Sequence, residues 1–144
     1  KEYPEVEKDH AYVDSAAMWM VKNPERFDVI VVSNVFGDIL TDLGAALQGG
    51  MGISASGNLH PGKVSMFEPI HGSAPKHAGR NTANPLGAIS SGMLMLDFLG
   101  EKGAASKIEK VMENLLLRKQ IPSLSTDSGL KTSEIGELFL GELS

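Results

Sequence analysis

The sequence predicts an α/β fold, a mixed sheet flanked by helices, on three observations. Residues 27–33 (Phe-Asp-Val-Ile-Val-Val-Ser) are β-branched and apolar almost throughout, the pattern of a strand buried on both faces. Runs with helical spacing stand on either side of that strand, separated by Gly- and Pro-rich stretches. No G-x-G-x-x-G follows a strand, and Gly50-x-Gly52 lacks the third glycine, so the arrangement is not a classical Rossmann fold.

Each element has a local reason. Residues 15–22 read as a helix that Asn23-Pro24 stops, because proline disfavours helix in the residue before it. After the strand, residues 34–37 turn into a second helix that runs to Gln48 and ends at Gly49-Gly50. Residues 49–62 are rich in small and turn-forming residues, with a domain crossing or hinge expected at their start, near Gly49. Residues 64–68 suit a short strand, and residues 69–84 a long loop broken by Pro69, Gly72, Pro75 and Gly79. Pro85 opens a buried, Ala- and Met-rich helix that ends at Gly100. Residues 104–117 place Ile108, Val111, Met112, Leu115 and Leu116 at helical spacing, with Lys107, Glu109, Lys110 and Glu113 between them. A last helix opens at Thr132-Ser133-Glu134 and carries Ile135, Leu138, Phe139 and Leu143. Two domains follow from this reading, residues 1–48 and residues 49–144.

Bulk composition excludes several function classes. A net charge of −5 provides no basic stripe for nucleic acid or an acidic membrane. Zero cysteines exclude disulfides, Cys-ligated zinc and thiol catalysis, and they suit a reducing cytoplasm. No apolar run approaches the ~20 residues of a membrane span. The opening Lys1-Glu2-Tyr3-Pro4-Glu5 carries neither a signal peptide nor an initiator Met, so the chain is expected to begin within something longer.

Asp38 and Asp42 are the most informative residues. At i and i+4 they share one helix face, with Cβ atoms ~6 Å apart. Two carboxylates that close repel unless a cation lies between them. Val29 to Val32, Ile39, Leu40, Leu43 and Leu47 make the surroundings apolar, so water is expected to be a poor partner. A hard dication is the better one, and Mg²⁺ or Mn²⁺ prefers carboxylate oxygens. A solvated pair on an ordinary helix is the alternative, with Asp38 near the positive end of the dipole.

The loop supplies a second constellation. It offers backbone N–H groups at Gly72 and Ser73, a flat ring at His71, a further ring at His77, and an amide at Asn84 that donates and accepts. A nucleotide is a natural guest. Ordinary loop histidines bonded to their neighbours are the alternative for His71 and His77.

Three motifs carry a resemblance that covers essentially the whole chain. They are His10-Ala11-Tyr12-Val13-Asp14, the block Ser33-Asn34-Val35-Phe36-Gly37-Asp38-Ile39-Leu40-Thr41-Asp42, and His71-Gly72-Ser73-Ala74-Pro75 with Ala83-Asn84-Pro85. Together they resemble the β-decarboxylating dehydrogenases, the isocitrate/isopropylmalate dehydrogenase family. The resemblance implies that family's mixed sheet and oxidation of a 2-hydroxy-dicarboxylate by NAD(P)⁺ with loss of CO₂. It implies Asp38 and Asp42 as ligands of Mg²⁺ or Mn²⁺, joined across a homodimer by Asp14, with residues 16–21 at the interface. It implies a cofactor loop of His71, Gly72, Ser73, Ala74, Pro75, Lys76, His77 and Asn84, with Glu68 near the nicotinamide.

The departures are informative too. The family's lysine base, tyrosine acid and substrate-binding arginines are expected upstream of Lys1, so these residues alone are expected to be inactive. Lys76 stands where isopropylmalate enzymes have an aspartate and resembles NADP-dependent isocitrate dehydrogenases, with His77 placed to assist. Residues 123–131 lack the Tyr and Arg that accompany such a lysine, which leans the cofactor to NAD. Overall similarity favours isopropylmalate, the substrate of leucine biosynthesis, with isocitrate, homoisocitrate and tartrate as alternatives. A regulatory subunit that binds nucleotide without chemistry is the rival from another class.

Overall fold

The computed structural model describes residues 2–124 and 129–144. Residues 125–128, part of the stretch read above for its missing Tyr and Arg, lie outside the described residues. The chain divides into two compact units, residues 1–47 and 48–144.

In the first unit, α1 (Val13–Lys22) carries Asp14 in its first turn and Lys22 in its last, each favoured by the helix dipole. Asn23 ends it by donating its backbone N–H to the Trp19 carbonyl at 2.7 Å, and Pro24 opens a 3₁₀ turn, Pro24–Arg26. The Arg26 guanidinium lies 3.9 Å over the Trp19 ring and also pairs with Asp9. Helix α2 (Asn34–Leu47) packs on α1, and Ala16 on α1 with Leu40 and Ala45 on α2 are the buried residues among those described in this unit. Gly44 lets the helices approach, since a Cβ there would lie 3.3 Å from the Met20 Cε.

The strand expected at residues 27–33 does not form. Among the described residues nothing pairs with this segment, and Val29 and Val31 are 83% and 95% exposed. Strand propensity expresses how well a residue fits a pleated, partly buried surface. Without a neighbouring backbone among the described residues to complete the ladder, the run forms no strand and stays open to water.

In the second unit, Gly49 and Gly50 take φ of +120° and +101°, which glycine adopts at little cost. Strands β1 (Ala55–Asn58) and β2 (Met66–Pro69) pair antiparallel, with Ala55 opposite Pro69 and Asn58 opposite Met66. This two-stranded ribbon is the sheet the described residues contain. β1 falls within the stretch read from sequence as turns, because Ala-Ser-Gly-Asn carries no strand signal of its own. The second strand matches the expected 64–68 within two residues.

Helix α3 (Leu86–Phe98) lies against the ribbon, and α4 (Lys102–Leu117) follows after Gly100, at φ +88°. Contrary to expectation, α3 is buried on one face only: Leu86, Gly87, Ser90 and Ser91 are inside, while Met95 and Phe98 are exposed. Its apolar residues surround the whole helix, so their pattern does not show which of them face the core. Helix α5 (Thr132–Leu143) completes the core, in which Leu86, Val111, Leu115, Ile121, Ile135 and Phe139 pack together. Among the described residues no helix is long and apolar enough to cross a membrane.

Candidate metal and nucleotide sites

The first candidate site is the polar face of α2. Asp38 and Asp42 lie one turn apart on this continuous helix, as the sequence predicts. Both are exposed, which corrects the expectation that apolar neighbours keep water away: Ile39 and Leu47 are themselves exposed, and only Leu40 is fully inside. Asn34, one turn earlier, donates its Nδ2 to Asp38 Oδ2 at 3.0 Å and so orients that carboxylate. The Thr41 hydroxyl turns inward to the carbonyls of Gly37 and Asp38, leaving the face to the carboxylates.

Asp14, exposed on α1, accepts the Ser15 backbone N–H at 2.7 Å. Among the described residues of one chain, no three His, Asp or Glu side chains converge to hold a metal, so Asp14 does not join the pair within a chain. Two adjacent carboxylates with open surroundings are hard oxygen donors, the chemistry that suits Mg²⁺ or Mn²⁺ with other positions left for water and substrate.

The second candidate site is the loop after β2. It begins on firm footing: Ile70 N–H bonds the Ser54 carbonyl at 3.2 Å, extending the ribbon. The His71 Nδ1 lies 2.7 Å from the Gly72 carbonyl, to which it donates, and this bond holds the ring. That ring sits close to the start of α3, where a Cβ on Gly87 would meet His71 Nε2 at 3.2 Å and the Gly52 carbonyl at 3.1 Å. Gly87 in turn donates its N–H to Gly52 at 2.9 Å, fixing the helix start against the segment before β1.

Beyond His71 the path is set by left-handed residues. Gly72 (φ +63°), Ala74 (φ +39°), Gly79 (φ +73°) and Asn81 (φ +54°) alternate with a 3₁₀ turn, Pro75–His77. Ser73, Lys76 and Arg80 are exposed, and His77 is half-buried. Glu68 is exposed on β2, opposite Ser56.

Asn84 is buried, and both ends of its amide are engaged. Its Nδ2 donates to the Leu124 carbonyl at 3.0 Å, and its Oδ1 accepts the Leu86 N–H at 3.0 Å. One hydrogen and one lone pair of the amide remain beyond these two bonds. Asn81, Thr132 and Ser133 form a further junction that the sequence reading did not assign, because its partners lie 52 residues apart. An Asn among glycines in a loop was the only available signal.

The chain belongs to the isocitrate/isopropylmalate dehydrogenase family, whose model matches residues 1–139. It is 50% identical to a 3-isopropylmalate dehydrogenase of Corynebacterium urealyticum over 132 residues, 90% of this chain and 39% of that one. Among solved structures it is similar to the isocitrate dehydrogenase of Methylococcus capsulatus, with a TM-score of 0.88 and 40% identity over 99% of this chain and 42% of that one. The TT0538 protein of Thermus thermophilus gives a TM-score of 0.89 and 41% identity, covering 99% of this chain and 29% of that one. The chain thus spans about two-fifths of the length of the curated relatives it matches.

Proposed function

We propose that this chain is the metal- and nucleotide-binding part of an NAD(P)-dependent β-decarboxylating dehydrogenase acting on a 2-hydroxy-dicarboxylate. Family membership together with an exposed carboxylate pair on α2 is the observation that carries this reading. The relatives named 3-isopropylmalate dehydrogenase favour that substrate, and with it leucine biosynthesis.

A nicotinamide nucleotide, when bound, would supply the hydride acceptor for oxidation of the 2-hydroxy-dicarboxylate to a 2-oxo acid, whose β-carboxylate would then be lost as CO₂ and replaced by a proton. Asp38 and Asp42 would hold Mg²⁺ or Mn²⁺, and when bound it supplies Lewis-acid polarisation of the substrate hydroxyl. Asn34 holds Asp38 in one orientation, so less side-chain freedom is lost on binding. Asp14 is proposed to reach the same site across a homodimer.

The loop from His71 to Asn84 is proposed to take the nucleotide. Ser73 offers donors, His71 a ring held by its own bond, and Asn84 braces the loop's exit, while the Gly72 N–H expected to bind a ligand is instead donated to the Pro69 carbonyl at 3.2 Å. Glu68 is assigned to the nicotinamide end. Lys76 stands exposed on the 3₁₀ turn beside His77, where a cation would favour a 2′-phosphate. NAD is the proposed cofactor, with NADP the alternative that Lys76 supports. Because the chain spans only two-fifths of its relatives' length, it is proposed to turn over little or no substrate alone.

An NMR titration tests both sites at once. Mn²⁺ is expected to broaden the signals of residues 38–42, and NAD⁺ to shift those of residues 71–77. Shifts with NAD⁺ but no broadening by Mn²⁺ would instead identify a subunit that binds nucleotide without chemistry. Lys76→Asp is expected to raise the affinity for NAD⁺ relative to NADP⁺.

A further inference from the structure

We infer that Asn81 is a positioning residue for the nucleotide loop, fastening its exit to the first turn of α5. This rests on the nucleotide-site reading given above and names the device that keeps the loop in shape.

Asn81 holds φ +54°, a left-handed conformation that Asn tolerates better than other residues with a Cβ. Its side chain and backbone meet α5 together. Asn81 Oδ1 accepts the Ser133 N–H at 3.1 Å, Asn81 Nδ2 donates to Ser133 Oγ at 2.9 Å, and its carbonyl accepts the Thr132 N–H at 3.0 Å. Thr132 Oγ1 answers by donating to the Ala83 carbonyl at 2.5 Å. The first N–H groups of any helix have no intrahelical acceptor. Asn81 fills that role for α5 from a remote part of the chain, and α5 is itself locked in the core through Ile135 and Phe139.

The consequence is for the segment between the anchors. Ile70 is bonded to Ser54 on one side, and Asn81 to α5 on the other. Between them, among the described residues, the backbone bonds of residues 72–80 reach no further than three residues along the chain. Backbone bonding that local does not place the loop against the rest of the unit, so the bonds at its two ends contribute to where it lies. A ligand that binds a placed loop avoids the entropy cost of ordering it.

The test compares the wild-type chain with Asn81→Gly, which keeps the left-handed backbone accessible and removes only the side-chain anchor. Calorimetry with NAD⁺ and with Mn²⁺ is combined with amide exchange over residues 72–80. Asn81→Gly is expected to weaken NAD⁺ binding about tenfold, to speed exchange in 72–80 and to leave Mn²⁺ binding unchanged. Thr132→Val, which removes the bond to Ala83 from the other side, is expected to act in the same direction. Asn81→Asp retains the acceptor for Ser133 and is expected to restore exchange protection. Wild-type binding of NAD⁺ with an Asn81→Gly variant that matches it in affinity and protection overturns the role of Asn81 alone. A wild-type chain that binds no NAD⁺ overturns the nucleotide-site reading, and this role with it.

Discussion

Asn84 and Leu124, 40 residues apart, are joined by an Asn84 Nδ2 bond to the Leu124 carbonyl at 3.0 Å, while the same amide caps the Leu86 N–H. One buried side chain thus ties the loop exit, the start of α3 and the segment after α4. Replacing it with Ala strands the buried Leu86 N–H and the half-buried Leu124 carbonyl. The expected loss is about 1–3 kcal/mol, read as a lower urea midpoint. Asn84→Asp keeps the acceptor for Leu86 and loses the donor to Leu124, so its midpoint is expected to fall between the two.

Gly87 and Gly92 lie on the same helix and are expected to respond in opposite ways. A Cβ at Gly87 would meet the Gly52 carbonyl at 3.1 Å, and both His71 Nε2 and the Pro69 Cβ at 3.2 Å. Neither the carbonyl nor the proline ring yields easily, so Gly87→Ala is expected to cost about 1–3 kcal/mol and to disturb His71. At Gly92 nothing lies within 4 Å, and Ala is the better helix former. Gly92→Ala is expected to be neutral or to stabilise by up to about 1 kcal/mol. Thermal unfolding of the pair checks the contrast.

The helices were largely legible because their evidence is local. Asn23-Pro24 and Gly49-Gly50 mark helix ends without reference to any other part of the chain. Residues 27–33 show the opposite: their apolar run is a strand only where another backbone pairs with it, and the described residues offer none. Strand β1 failed the other way, its Ala-Ser-Gly-Asn recruited by pairing with the more strand-like Met-Phe-Glu-Pro. At the sites, spacing alone put Asp38 and Asp42 on one face, but their exposure depends on which neighbours fold over them. The Asn81–Ser133 junction is set by tertiary packing, which short-range patterns do not encode.

Asp9 gives a titration with a defined sign. The backbone N–H of His10 and, next, the Arg26 side chain hold its carboxyl below the ordinary aspartate value. A depressed pKa in the folded state stabilises above the unfolded value, and that contribution is lost as pH falls through the folded one. Asp9 is fully exposed, so NMR titration is a better readout than stability. Arg26→Ala is expected to raise its pKa part of the way, the His10 bond remaining. An unchanged value would contradict the assignment of Arg26 as a cause.

The most direct measurement is calorimetric titration of the chain with Mn²⁺, wild type against Asp42→Ala. Saturable binding that weakens at least about tenfold in the variant, without a change in thermal unfolding, is the expected result. Mn²⁺ affinity that is the same in both proteins, or a wild-type chain that binds none, would contradict a metal role for the α2 carboxylates.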